Sequence, residues 1–114
     1  MQTFLAKLMF NIHVDENKHT NEFDEQIRLI HAPNHEAAYF KAHHIGKSEE
    51  NVVENNAQKI NWKFVGVADL YPLKNLKDGE QLYSNTIYKD DSHSFTQYIR
   101  QKAIELQVKN LSFA

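Results

Sequence analysis

The chain has 114 residues, which suits one domain and is too short for two of ordinary size. Apolar residues make up 41% and charged residues 25%, as in ordinary globular proteins, and the formal net charge of −2 argues against nucleic-acid binding. The absence of cysteine excludes disulfide bonds, cysteine metal ligands and a cysteine nucleophile. We therefore expect a single domain over residues 1–114 with no nucleic-acid partner.

The N-terminal segment MQTFLAKLMFNIHV is apolar but does not resemble a signal peptide. It lacks a basic first region, Lys7 interrupts it, and no cleavage site of small residues follows. No stretch of the chain reaches the ~18 apolar residues of a membrane span. We therefore expect a cytoplasmic protein with no membrane contact.

Two strands are predicted in the first third of the chain. From Phe4 to Val14 apolar residues occupy alternate positions, which indicates a half-buried strand. A polar run at 15–22 predicts a hairpin loop, and a second strand follows at 23–32. We expect this second strand to turn Ile27 and Leu29 inward and Arg28 outward, with Ile30 left on the outward side.

A helix is predicted next. Asn34 is a suitable N-cap, because its side-chain oxygen can accept a free N–H of the first turn. Gly46 is a plausible residue at the helix end, and SEENVV can extend the helix beyond it. Helical spacing predicts a buried stripe made of Ala38, Ala42 and Ile45.

The second half predicts two more strands and a second helix. A polar loop at 49–59 precedes a long strand at 60–73, a strand at 81–89 rich in Tyr and Thr, and a helix at 90–110. Strict alternation along the long strand predicts one face with Trp62, Phe64, Gly66, Ala68 and Leu70, and another with Lys63, Val65, Val67, Asp69 and Tyr71. The order β-β-α-β-β-α predicts a two-layer α+β domain with a mostly antiparallel four-stranded sheet.

The segment NHEAAYFKAHHIG contains three histidines but does not predict a metal site. Two ligands on one helix share a metal when they lie three or four positions apart, and no pair among His35, His43 and His44 has that spacing. Tyr39 stands where an HExxH motif needs its second histidine. Three glycines in the whole chain leave no phosphate-binding loop, and we expect no cofactor or metal.

Surplus apolar residues predict an interface. Each lies on a side of its helix or strand that one two-layer core would leave polar. The predicted interface residues are Phe40, Val65, Val67, Ile104 and Val108. They favour a non-enzymatic interaction module that self-associates or binds a protein partner. One alternative stays open, in which the C-terminal helix covers the second sheet face within the same chain.

A small enzyme or ligand-binding protein is the alternative function. Its pocket would lie between the sheet and the loop at 49–59, where an aromatic ring and carboxylates could meet. The predicted ligand-binding residues are Trp62, Asp69, Tyr83, Glu49 and Glu50. No residue is predicted to be catalytic.

Four segments resemble a known family in the same order: FLAKLMF at 4–10, EQIRLIHAPNHEAAYFKAHHIG at 25–46, WKFVGVADLYPL at 62–73 and DGEQLYS at 78–84. The chain resembles the domain of unknown function 4288 family, which consists of small, mostly bacterial proteins, over roughly residues 3–88. The resemblance implies an α+β domain in a bacterial cytoplasm, and no activity, cofactor or catalytic residue. The helix at 90–110 lies outside it.

The predicted helix departs from the family's pattern at three positions. The family usually has charged residues where this chain has Phe40, His43 and His44. The resemblance therefore favours surface positions for both histidines and makes Phe40 the unusual residue.

Overall fold

The computed structural model describes residues 1–14, 22–55 and 58–111, and gives only the backbone for residues 52–55 and 58. Along this part of the chain the elements are β1 (Gln2–Val14), β2 (Glu22–Ala32), α1 (His35–Ser48), β3 (Asn51–Asn55), β4 (Gln58–Leu73) and α2 (Ser92–Asn110). They fall into two compact units, Met1–Glu80 and Gln81–Ala114. The α+β class with two helices is confirmed, whereas the single domain over 1–114 stays a prediction.

The first unit contains an antiparallel sheet in the order β2-β1-β4-β3. Three predicted strands form its long part, β2-β1-β4. The predicted strand at 81–89 is wrong, because those residues form neither strand nor helix. The predicted loop at 49–59 is also wrong in part: it contains β3, which forms a hairpin with β4. Strand propensity depends strongly on context, so the Tyr and Thr residues at 81–89 were a weak guide.

The core lies between the sheet and α1. Phe4, Ala6, Leu8 and Phe10 of β1 are fully buried, as the alternation predicts, because alternate residues of a strand point to one face. They pack with Ile30 of β2 and with the other buried residues of the unit, namely Ala32, Ala38, Ala42 and Phe64. The predicted hairpin loop at 15–22 lies outside the described residues except for Glu22.

The helix α1 begins as predicted and ends later. Asn34 Oδ1 accepts a hydrogen bond from the Ala37 N–H at 2.8 Å, which confirms the N-cap. The buried stripe consists of Ala38, Ala42 and Gly46, while Ile45 is half-buried beside it. The helix continues to Ser48, because Gly46 faces the sheet as a packing residue and does not end the helix.

The two faces of β2 are the reverse of the prediction. Phe4 lies opposite Ile30 and Ala6 lies opposite Arg28, so Ile30 and Arg28 face α1. Ile27 and Leu29 point to the other side of the sheet. The register with β1 decides the faces, since directly opposite residues share a face and β1 turns its even-numbered residues toward the helix.

Two register shifts change the facing of side chains in the middle of β4. They lie between the pairs Met9–Gly66 and Phe10–Phe64, and between Lys7–Asp69 and Leu8–Val67. Each shift inserts one residue, Val65 or Ala68, as in a β-bulge. Val67 therefore faces α1 and packs against the core, so its predicted place on the opposite face is wrong.

The second unit contains α2, which the sequence predicts correctly as a helix. Asp91 is its N-cap: Oδ1 accepts from the Ser94 N–H at 3.1 Å, and Oδ2 accepts from the Ser94 hydroxyl at 2.7 Å. The Phe95 and Tyr98 rings stack with centroids 6.4 Å apart. Lys102 Nζ lies 5.1 Å from the centroid of the Tyr98 ring, a cation–π contact.

Candidate functional site

The sheet has an outer face, which is the side opposite α1. Residues of β1 and β4 that lie opposite each other in register share this face. Its apolar members are Leu5, Met9, Phe23, Ile27, Leu29, Tyr71 and Leu73. The residues on β1 and β4 are half-buried by their neighbours, whereas those on β2 are more exposed.

The exposed part of the outer face lies on β2. The exposed fractions are 59% for Phe23, 49% for Ile27 and 54% for Leu29. Alternation places the three side chains in one row along the strand. Glu25 lies between Phe23 and Ile27 in this row. Large apolar side chains grouped in this way are unusual on a free surface and typical of an interface.

A charged pair interrupts the apolar residues of the outer face. Lys7 Nζ lies 3.2 Å from Glu25 Oε1, and Asp69 lies directly opposite Lys7 on β4. The Lys7 side chain is only 15% exposed. A partner that covered this face would meet acidic, basic and acidic groups in order across β2, β1 and β4, which gives the surface a charge pattern as well as an apolar one.

The other side of β2 carries a polar network. Gln26 Nε2 donates to Asp24 Oδ2 at 2.7 Å, and Arg28 Nη2 donates to Gln26 Oε1 at 2.7 Å. Arg28 Nη2 also lies 3.4 Å from Glu49 Oε1, just after α1. The network therefore holds three side chains of the edge strand in fixed relation and ties them to the end of the helix.

The histidines of α1 form part of an aromatic surface. His43 and His44 are both exposed. The His43 ring meets the Phe64 ring edge-on at 5.5 Å between centroids and stacks with Tyr39 at 6.3 Å. Phe40 is 60% exposed and contacts Tyr39 at 5.6 Å. Phe40 is thus an exposed aromatic residue, as the helical spacing predicts.

The predicted interface residues belong to different elements. Val65 is an exposed residue at the first register shift of β4, whereas Val67 packs against the core. Phe40 lies on α1, on the other side of the sheet from the outer face. Ile104 and Val108 are exposed on α2, in the second unit. Their role in an interface stays a prediction.

The carboxylates of the predicted ligand site are engaged in separate contacts. Glu49 pairs with Arg28, and Glu50 Oε1 lies 3.1 Å from Lys47 Nζ. Asp69 accepts a hydrogen bond from the Leu70 N–H at 2.9 Å and lies on the outer face. These three carboxylates do not converge on one point.

The aromatic residues of that site belong to different units. Trp62 packs against the core on the α1 side, with its ring 6.2 Å from that of Phe10, so it lies on the opposite sheet face from Asp69. Tyr83 belongs to the second unit. Part of the predicted pocket, residues 56 and 57 and the side chains of 52–55 and 58, lies outside the described residues.

Two further kinds of site are absent from the part of the chain that the structure describes. There, no group of three or more His, Asp or Glu side chains is arranged to hold a metal ion. No helix in the described ranges is long and apolar enough to cross a membrane.

Sequence reasoning missed the row Phe23, Ile27 and Leu29. Its signal was the presence of apolar residues on both faces of β2, since Ile27, Leu29 and Ile30 cannot all face one side. Which of the two faces of β2 is buried depends on the register with β1. The pattern of apolar residues within β2 alone does not show that register.

Comparison with known proteins gives a family and no function. The family model described as "Domain of unknown function (DUF4288)" matches residues 3–84. No curated protein and no solved structure matches the chain. The match covers α1 and the strands β1 to β4, whose sheet carries the outer face, and confirms the resemblance found in the sequence. The chain belongs to the DUF4288 family.

Proposed function

We propose that this chain is a non-catalytic protein-interaction module that self-associates through apolar side chains of its sheet. The observation that carries this proposal is the exposed row Phe23, Ile27 and Leu29 on the outer face of β2. Phe40, Val65, Ile104 and Val108 are further candidates for contacts, whereas Val67 is set aside because it packs against the core. A bacterial cytoplasmic setting belongs to the same proposal and is supported by the family resemblance alone.

The size of the apolar row limits how tight the association can be. Burying a side chain of this kind fully is worth about 1.5–3 kcal/mol. Association costs about 4–15 kcal/mol in lost freedom of motion. The three side chains are about half exposed, so the six side chains of two copies contribute roughly 4.5–9 kcal/mol, which offsets the lower part of this cost range. A tight dimer therefore needs polar or backbone contacts as well.

The proposal is tested by sedimentation velocity of the full chain over a range of micromolar concentrations. We expect the wild-type protein to form a reversible dimer. Leu29→Lys places a charge in the apolar row, and we expect it to shift the protein to a monomer without unfolding it, since Leu29 is 54% exposed.

Phe40→Ser is the matched variant, because Phe40 is a similarly exposed apolar residue on the opposite side of the sheet. We expect it to leave the dimer intact. Dissociation by Phe40→Ser alone would move the interface to α1, and a wild-type monomer at every concentration would contradict self-association. The ligand-binding alternative has less support, since Trp62 and Asp69 face opposite sides of the sheet and Glu49 and Glu50 are engaged in ion pairs.

A further inference from the structure

The strand β2 is an open edge of the sheet. Among the described residues its strand neighbour is β1 alone. Exposed edges commonly carry Pro, charged residues such as Lys, or a bulge, which hinder pairing with another chain. The segment EFDEQIRLIHA has no Pro, Gly or Lys, its register with β1 is continuous, and its four charged residues include both signs, so they can pair across two copies. The backbone of β2 is therefore suited to accept another strand.

We propose that β2 pairs antiparallel with β2 of a second copy, about a two-fold axis perpendicular to the sheet at Gln26. The inference rests on the proposed self-association and specifies its geometry. Gln26 then lies opposite the partner's Gln26, and the overlap runs from Glu22 to Ile30. The two sheets become one continuous sheet, with α1 of both copies on the same side.

This register brings opposite charges together on the α1 side. Asp24 lies opposite the partner's Arg28, and Arg28 lies opposite the partner's Asp24. Within each chain Gln26 already orients both, by donating to Asp24 and accepting from Arg28. A guanidinium has five N–H donors, so Arg28 has donors beyond those it uses for Gln26 and Glu49. Oppositely charged residues that face each other across a strand pair stabilise the pairing.

The same register joins apolar residues on the outer face. Phe23 lies opposite the partner's Leu29, and Leu29 lies opposite the partner's Phe23. The contact covers side chains that are about half exposed in one copy. Aromatic and aliphatic cross-strand pairs stabilise strand pairing. Charge and apolar pattern therefore agree on one register, on opposite faces of the same strand.

Two neighbouring registers oppose like charges. Pairing centred on Glu25 places it opposite the partner's Glu25, and pairing centred on Arg28 places it opposite the partner's Arg28. Like charges directly opposite each other destabilise a strand pair.

A third register, centred on Ile27, conflicts with the existing contacts of the strand. It extends the pairing to His31, whose backbone carbonyl already accepts a hydrogen bond from Lys41 Nζ at 3.1 Å. The register centred on Gln26 ends before His31 and leaves this contact in place.

The absence of cysteine from the chain allows a direct test by disulfide cross-linking. We expect Gln26→Cys in the full chain to form a covalent dimer under mild oxidation. Cα atoms directly opposite in an antiparallel pair are ~4.5–5.5 Å apart, within the range that a disulfide spans. Glu25→Cys is the matched control, because its copies are offset along the strand by about 7 Å and should stay unlinked.

A second pair of variants covers the case in which Gln26→Cys fails to fold. Phe23→Cys and Leu29→Cys alter exposed side chains. In the proposed register each cysteine is roughly 20 Å from its own copy in the partner, so neither protein should cross-link alone. An equal mixture of the two should form a covalent heterodimer.

Three outcomes decide the matter. A wild-type dimer, with cross-linking of Gln26→Cys or of the mixture and none in Glu25→Cys, supports the strand pairing. A wild-type dimer in which neither the Gln26→Cys protein nor the mixture cross-links overturns the strand pairing and leaves the proposed self-association standing. A wild-type monomer overturns both.

Discussion

Gly46 of α1 lies directly against the ring of Phe64 in β4. A Cβ atom added at Gly46 would be 2.3 Å from Phe64 Cε1 and 2.5 Å from Cζ. The contact sets how closely the helix approaches the sheet, because the ring belongs to the packed core and cannot move aside without displacing its neighbours.

Gly46→Ala should therefore destabilise the protein. Alanine favours a helix over glycine by about 1 kcal/mol, but overpacking a core costs about 1–3 kcal/mol. We expect a net loss of up to about 2 kcal/mol in the free energy of unfolding, measured by urea denaturation. Gly66→Ala is the control, because a Cβ at Gly66 meets no atom within 4 Å. Equal stability of the two variants would contradict the close packing.

Adjacent residues of β2 should respond very differently to truncation. Ile30 is fully buried and Leu29 is 54% exposed. We expect Ile30→Ala to lose about 2–5 kcal/mol of the free energy of unfolding, and Leu29→Ala to stay within about 0.5 kcal/mol when the protein is dilute. A larger loss of stability from Leu29→Ala than from Ile30→Ala would mean that Leu29 faces the core, as the strand pattern alone predicts.

Two valines of β4 test the register shifts in the same way. Val67 packs against the core, whereas Val65 is an exposed residue at a shift. We expect Val67→Ala to cost about 1–2 kcal/mol in thermal or urea unfolding, and Val65→Ala to be close to neutral. Similar losses from the two variants would mean that strict alternation continues through the strand, because alternation places Val65 and Val67 on one face.

The start of α2 should depend on pH through its N-cap. Hydrogen bonds from the Ser94 backbone N–H and hydroxyl lower the pKa of the Asp91 carboxyl. A carboxyl with a lowered pKa stabilises the folded form above its unfolded pKa, and this contribution is lost as pH falls through the folded value. We therefore expect the first turn of α2 to be unaffected above about pH 4 and to loosen below it.

Amide hydrogen exchange at residues 94–96 measures this change. Asp91→Ala should speed exchange at neutral pH and remove the pH dependence of the first turn, because the capping oxygen is absent. Asp90→Ala is the neighbouring control. It should keep the slow exchange at neutral pH and the pH dependence of the first turn. Similar behaviour of the two variants would mean that general helix electrostatics, and not the cap, order this turn.

Much of the first unit could be predicted from local patterns. The alternation from Phe4 to Phe10 identified the buried residues of β1, and Asn34 identified the start of α1. Both features are local: one strand fixes its own two faces, and one side chain reaches an N–H three residues away. Where such a signal exists within a few residues, the sequence is sufficient.

The remaining features depend on contacts between distant segments. The facing of Ile27 and Ile30 required the pairing of β2 with β1, and the facing of Val67 required the shifts in β4. Gly46 looked like a helix end because its packing partner, Phe64, is far along the chain. The predicted ligand site depends most on such contacts. Trp62 and Asp69 are close in sequence but lie on opposite faces of the sheet.

The two register shifts of β4 act as a compensating pair. Eight residues of β1, from Thr3 to Phe10, run alongside ten residues of β4, from Phe64 to Leu73. The first extra residue shifts the alternation of side chains along β4 by one position, and the second shifts it back. Leu70 therefore faces α1, as Phe64 does. A chain that loses Val65 or Ala68 would keep its faces, because neither has a partner on β1 and Leu70 would stay opposite Ala6. Loss of a single paired residue would instead turn the residues beyond it to the wrong face, so this stretch tolerates a one-residue deletion only at Val65 or Ala68.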